Sequence, residues 1–379
     1  MDTAARLAWS RRAFLRTVGA AALAGCASPI LPPRASTPHL RLLGETTLPH
    51  RLLFGGTTVG GLSGIDYDPG SGTWVAISDD RSELQPARFY TLRVDVGLQG
   101  IAVQVQGVST LRGANGLPYP PRGSGGEVVD PESIRLLPGG RGVLWTSEGD
   151  LRVNQPPAVT EARMDGSYVR GFDVPPPLRF PARPGTGPRD NLTFEGLALT
   201  PDARTAWVSM EAPLEQDGPL PRVGAAGGPC RFSAFDIATG GAVRQIAYIP
   251  DSIPRAPQLP GGLADNGISE ILMLDADRML VLERSFALGT GMSLRIYAID
   301  TREGSDVLRQ DKLVPGEFRA VTKQPVADFA QLGLSRLDNT EGMCWGPRLP
   351  NGKRSLVVVS DDNFAAAQVT QFAAFELLD

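Results

Sequence analysis

Residues 191–212 read NLTFEGLALTPDARTAWVSMEA, and this stretch decides the fold. It divides into a short strand (Glu195–Leu199), a turn through Pro201-Asp202, and a second strand (Ala206–Met210). Proline fixes one backbone angle of the turn and aspartate supplies a side-chain cap. An acid stands at each outer end of this hairpin, Glu195 and Glu211.

The same pattern recurs at Gly61–Asp80, Asp130–Asp150, Asn266–Phe286 and Asn339–Asn363. Aligned on the first strand, the copies place Ser63, Glu132, Glu195, Glu270 and Glu341 in register, at intervals of 69, 63, 75 and 71 residues. A repeat of this length, built on apolar strands, marks a repeat architecture.

Two further strand-like runs follow most hairpins: Arg88–Val94 and Ile101–Val108, Val159–Met164 and Tyr168–Val174, Arg231–Ile237 and Ala242–Ile249. The fourth copy has Ser293–Ile299 and a less regular Lys312–Phe329; the fifth has only Val369–Leu377. Its missing strand is available at the other end of the chain, in Leu40–Leu48. Four antiparallel strands per unit, with the termini sharing one unit, predict an all-β protein: a β-propeller of five blades closed by pairing of its N- and C-terminal strands. A sixth, degenerate blade in Lys312–Leu337 or the N-terminal segment is the alternative count. Two β-sandwiches are the competing architecture, but a sandwich gives no reason for five copies of one pattern.

In an antiparallel hairpin the start of one strand lies beside the end of the next. Glu132 therefore neighbours Glu148, Glu195 neighbours Glu211, and Ser63 neighbours Asp79, each pair 16 residues apart. Glu270 is matched with Glu283 and Glu341 with Asp361. With the first strand of every blade innermost, these acids gather at one mouth of the channel. Long Pro- and Gly-rich segments, Arg112–Val129, Pro175–Asp190, Ala212–Pro229 and Pro250–Asp265, emerge on the same face, and loops massed on one face carry binding or catalysis.

So many carboxylates at close quarters raise one another's pKa or recruit cations. All-oxygen ligands without His or Cys suit hard cations, Ca²⁺ first. The expected ligands are Asp79, Glu132, Glu195, Glu270, Glu341 and Asp361. Arg81, Arg152 and Arg189 are candidates for holding an anionic substrate, and Glu211 and Arg284 for the chemistry. The structural alternative is that acids at matching blade positions bond the backbone amides of the neighbouring blade.

Only two histidines occur, His39 and His50, both ahead of the repeats. A Ser-His-Asp site or a His-ligated zinc would need one of them. No P-loop and no Gly-x-Ser-x-Gly elbow is present. Cys230 and Cys344 leave a disulfide open. There are three lysines, Lys312, Lys323 and Lys353, so nearly every cation is an arginine, suited to bidentate oxyanion contacts.

The first 25 residues read as an export signal. Ser10-Arg11-Arg12-Ala13-Phe14-Leu15-Arg16 has the twin-arginine pattern of the Tat route. Leu23-Ala24-Gly25-Cys26 resembles a bacterial lipobox, which implies cleavage before Cys26 and its lipidation. Residues 26–38 read as a flexible tether and 39–379 as the propeller. The leader carries Arg6, Arg11, Arg12 and Arg16 against Asp2, so its removal takes the formal charge from −4 to −7. An acidic body argues against nucleic acid as a partner. The expected location is the periplasmic side of the envelope, the outer membrane favoured by Ala27 after the cysteine. Oligomeric state stays open.

Gly-Ile-Asp-Tyr-Asp (64–68), Ser-Asp-Asp-Arg (78–81), Pro-Glu-Ser-Ile (131–134), Phe-Glu-Gly-Leu-Ala-Leu-Thr-Pro-Asp (194–202) and Asn-Thr-Glu-Gly-Met (339–343) together resemble the bacterial phytase-like family, also called esterase-like activity of phytase. The resemblance spans about residues 55–378 and implies hydrolysis of phosphate or other esters. Two functions follow as expectations: an exported, lipid-anchored, metal-dependent ester hydrolase, or a non-catalytic envelope propeller that binds a ligand or partner protein.

Overall fold

A computed structural model describes residues 39–181 and 183–378. The export signal, Cys26 and the tether lie outside the described residues. Strands account for nearly all the regular structure, and the helical elements are single 3-10 turns.

Five four-stranded antiparallel sheets are arranged as blades. From the inner strand outward, blade 1 is Leu62–Asp68, Thr73–Ser78, Arg88–Gly97 and Gly100–Thr110. Blade 2 is Pro131–Leu137, Gly142–Ser147, Ala158–Ala162 and Tyr168–Gly171. Blade 3 is Phe194–Leu199, Thr205–Met210, Cys230–Asp236 and Ala242–Tyr248. Blade 4 is Ala264–Met273, Arg278–Ala287, Gly291–Asp300 and Lys323–Asp328. Blade 5 is Asn339–Trp345, Ser355–Asp361 and Gln371–Leu378, completed by His39–Thr47 from the start of the described chain. That closing strand runs antiparallel to Gln371–Leu378, with His39 opposite Leu378 and Thr47 opposite Gln371. The count is five: Lys312–Leu337 supplies blade 4's outer strand, and the N-terminal segment adds only a two-stranded hairpin, Leu53–Phe54 with Thr57–Thr58.

The core is divided among the blade interfaces. Side chains alternate between the two faces of a strand, so a blade's strands feed both neighbouring interfaces. In blade 5, Val357 and Val359 pack toward blade 1 with Trp74 and Tyr90, while Leu356 and Val358 pack toward blade 4 with Leu280 and Leu282. Leu144 faces blade 3, and Val143 and Trp145 face blade 1. Cys230 and Cys344 are both free and buried, in the interfaces of blades 3–4 and 5–1 respectively. They do not pair.

At the hub the inner strands approach closely. A Cβ on Gly64 would lie 2.7 Å from the Glu132 carbonyl oxygen, and one on Gly196 would lie 2.7 Å from the Ile271 nitrogen. Gly342 is crowded in the same way by Ile65. Glycine at these positions is what lets the ring close. Ser133 and Glu270 occupy the corresponding places in blades 2 and 4, and they bond each other, the Ser133 hydroxyl donating to Glu270 at 2.9 Å.

Candidate acidic site at the propeller mouth

Every inner strand carries a β-bulge at its mouth end, after Leu62, Pro131, Phe194, Ile268 and Thr340. A bulge re-aims the side chain it carries. In three blades that residue is an acid, Glu132, Glu195 or Glu341, and all three line one cavity of about 610 Å³. In blades 1 and 4 it is Ser63 or Ser269, whose hydroxyls donate to backbone carbonyls of the next blade, at Glu132 (2.7 Å) and Thr340 (3.4 Å).

The second strands add another ring. Backbone pairing places Asp79, Glu148, Glu211, Arg284 and Asp361 at equivalent positions, and all five line the cavity. Four acids and one arginine thus face one another above three acids.

The fourth blade corrects the sequence alignment. Glu270 pairs with Leu282, not with Glu283. It is one residue past the bulge, and one residue of slip turns a strand side chain to the opposite face. Glu270 is fully buried below the mouth, 2.9 Å from Arg135, and accepts from the amides of Leu197 and Ile271. Its carboxylate is committed to the hub, and a cation at the mouth is beyond it. Here the structural alternative applies, since Leu197 belongs to the neighbouring blade. Glu283 is also taken up elsewhere, by Tyr248 at 2.6 Å and Lys323 at 2.6 Å.

Arg284 holds the middle of the site. It lies 3.0 Å from Glu211 and 3.3 Å from Glu341, and donates to the Asn339 side chain at 2.7 Å. Burial works against its charge, but Glu341 and Glu211 outweigh that and hold its pKa above the ordinary value. Asn339 in turn donates to Glu341 at 2.9 Å and Asp361 at 3.1 Å. On the rim, Arg81 pairs with Asp130 at 2.6 Å.

The other two expected anion-binding arginines are elsewhere. Arg189 spends its guanidinium on the carbonyls of Pro213 (3.1 Å) and Gly218 (3.0 Å), bracing the loop that follows blade 3's second strand. It does not line the cavity. Arg152 pairs with Asp150 and Asp190 at 3.0 Å each, beside a smaller pocket of about 390 Å³ shared with Arg81 and Arg122. Neither histidine lines the mouth.

Two acidic triads could hold a metal ion: Asp130, Glu132 and Glu148, and Glu148, Glu195 and Glu211. Within each, one ligand atom per residue lies within 4.8 Å of the others. Glu148 is common to both, and its other contact is a 2.5 Å bond from the Thr193 amide. Among the described residues, no hydrogen-bond donor meets the buried Asp130 Oδ1, and the Asp130 and Glu132 carboxyls lie close enough to share a proton. Sequence reasoning paired Glu148 with Glu132 but gave it no ligand role, and it passed over Asp130. The signal for Asp130 was its place two residues before Glu132, since residues two apart along an extended strand project to one side.

Burial is the main cause of the raised pKa values throughout. It lifts Glu148 to about 7 and Glu211 to about 8. Glu132 and Glu195 are pushed well above the carboxylate range, first by burial and then by Glu195 and Glu211 respectively. Asp79 and Asp361 follow, with burial again first and each other or Glu341 next. Such a site binds either protons or cations at neutral pH.

The description "Phytase-like: esterase-like activity of phytase" matches residues 57–364. No curated protein matches the chain. Among solved structures, the hydrazine synthase of Kuenenia stuttgartiensis is 15% identical, with 82% of this chain and 80% of that one covered and a TM-score of 0.37. The periplasmic gluconolactonase of Pseudomonas aeruginosa is 13% identical, covering 85% and 90%, with a TM-score of 0.36. The Xanthomonas campestris gluconolactonase is 14% identical, covering 93% and 98%, again with a TM-score of 0.36. Likeness at that level carries nothing about activity. The family match runs from the hairpin before blade 1 to the acids of blade 5, and on it the chain belongs to the phytase-like family.

Proposed function

We propose that the mouth binds a divalent cation, Ca²⁺ first, and that the protein is a metal-dependent hydrolase of anionic esters, phosphoesters foremost. The observation that carries this is the pair of triads sharing Glu148, with Glu132, Glu148, Glu195 and Glu211 all lining the mouth. The donor set is all oxygen, as a hard cation requires. Glu132, Glu148, Glu195 and Glu211 would hold the ion, with Asp130 beside Glu132 and with Asp79, Glu341 and Asp361 across the mouth.

A bound divalent cation supplies Lewis-acid polarisation of an ester oxygen. The chain's own groups have separate tasks. Arg284, charged at any working pH, stabilises negative charge that develops on the ester. Arg81 orients the anion from the rim. Glu211, paired with Arg284 at 3.0 Å, serves in the set that would hold the ion and not as a proton carrier. Membership of the phytase-like family supports ester hydrolysis.

The test is turnover of aryl phosphates and aryl acetates by the mature protein, with Ca²⁺ and with chelator. Calcium-dependent release of the phenol is expected. Activity indifferent to chelator, or none on either class, overturns the reading. We propose further that the protein is exported by Tat and anchored through lipidated Cys26, the mouth serving the periplasm. Cells fed a labelled fatty acid should label the wild type but not Cys26→Ser, and equal labelling would refute the anchor.

A further inference from the structure

Blade 4 differs from the other four in length. Its first two strands have 10 residues each, whereas the first two strands elsewhere have 6 or 7. The surplus is at the mouth end. Beyond Arg284 the ladder continues through Ser285–Asn266, Phe286–Asp265 and Ala287–Ala264, and the third strand follows it with Met292 opposite Phe286. The blade therefore rises as a fin above the ring of acids.

Alternation along the strand sets what the fin shows to the mouth. Phe286 is two residues past Arg284, so both project to the same side, and both line the cavity. Met292 lines it as well, and Leu337 and Leu192 extend the apolar surface from the adjoining loops. At the tip, Leu263 is 75% exposed and is tied to Leu288 by a 2.9 Å backbone bond. The cavity is thus acidic below and apolar along one wall.

Its charge excludes one class of substrate. Nine carboxylates line the cavity against three guanidiniums, so one or two divalent cations leave it negative or near neutral. A compact polyanion, charged on every side, has no cationic surface here to surround it and would face repulsion from whatever carboxylates stay ionised. A molecule with one anionic head and an apolar remainder fits both parts.

We infer that the substrate is an ester joining a single anionic head, such as a phosphate, to an apolar alkyl or aryl group, with the head at the cation and Arg284 and the apolar group against Phe286 and Met292. The inference rests on the reading of the mouth as an ester site and deepens it. Inositol hexakisphosphate is then a poor ligand.

The test is calorimetry of alkylphosphonates, from methyl to octyl, against the calcium-loaded mature protein. Association should strengthen by about three- to fourfold for each methylene that becomes buried, and the gain should level off once the wall is covered. In Phe286→Ser the gain per methylene should shrink, and inositol hexakisphosphate should fail to displace octylphosphonate. A flat chain-length series, no binding at any length, or displacement by inositol hexakisphosphate would overturn the inference. The wild-type series decides alone if the variant does not fold. Length-dependent binding without turnover of the matching alkyl aryl phosphates would sink the hydrolase reading and leave the apolar wall standing. Turnover with no length dependence would do the reverse.

Discussion

Raising the pH of the metal-free protein should destabilise it, and calcium should reverse the trend. Glu148 and Glu211 ionise at about 7 and about 8 in the folded chain, against 4.5 when exposed. A carboxyl whose folded pKa is raised holds its proton more tightly folded than unfolded. Its stabilisation is complete below the unfolded value and is lost as pH climbs through the folded one. At 1.36 kcal/mol per pH unit, the full loss is about 3 kcal/mol for Glu148 and about 5 kcal/mol for Glu211. The two share neighbours, so the losses overlap, and a decline of about 3–5 kcal/mol between pH 5 and 8.5 is expected. On the proposed reading calcium would bind the ionised form, and at a hundred times its dissociation constant would add about 2.7 kcal/mol. The assay is urea denaturation at several pH values, with chelator and with Ca²⁺. Stability of the metal-free protein that is flat or rising over this interval would refute the reasoning.

Two substitutions separate hub from mouth. Arg135 is buried, donates to the carbonyls of Ile65, Ile134, Ile271 and Met343, and pairs with Glu270, so it ties blades 1, 2, 4 and 5. Arg135→Met should cost about 3–5 kcal/mol by stranding Glu270, and a loss under about 1 kcal/mol in denaturant titration would contradict that role. Arg284→Met removes the cation between Glu211 and Glu341. It should lower kcat by about a hundredfold or more on an aryl phosphate, and an unchanged kcat would remove Arg284 from the chemistry.

Much of this was legible in the chain. The blade count followed from the five-fold pattern, and ring closure from one missing strand, because both are written in apolar alternation and repeat length. The facing acids were legible wherever the hairpin kept its 16-residue spacing. Blade 4 defeated that rule. Where other copies read Ser63-Gly64, Glu195-Gly196 or Glu341-Gly342, this one reads Ser269-Glu270, and matching acid to acid slipped the register by one. That slip hid two facts together: Glu270 belongs to the hub, and Arg284 takes an acid's place in the upper ring. The fin was hidden too, because Asp265-Asn266-Gly267 has the composition of a turn, and only pairing with Arg284-Ser285-Phe286 makes it a strand. Bulges, which re-aim Glu132, Glu195 and Glu341, leave no mark in periodicity.

The most direct test of a cation-holding mouth is calorimetric titration of the metal-free protein with Ca²⁺ at pH 7.5, beside Glu148→Gln. The account predicts saturable binding with proton release in the wild type, and its loss in the variant, since Glu148 serves both triads. No saturable binding in the wild type, or the same binding in Glu148→Gln, would contradict it.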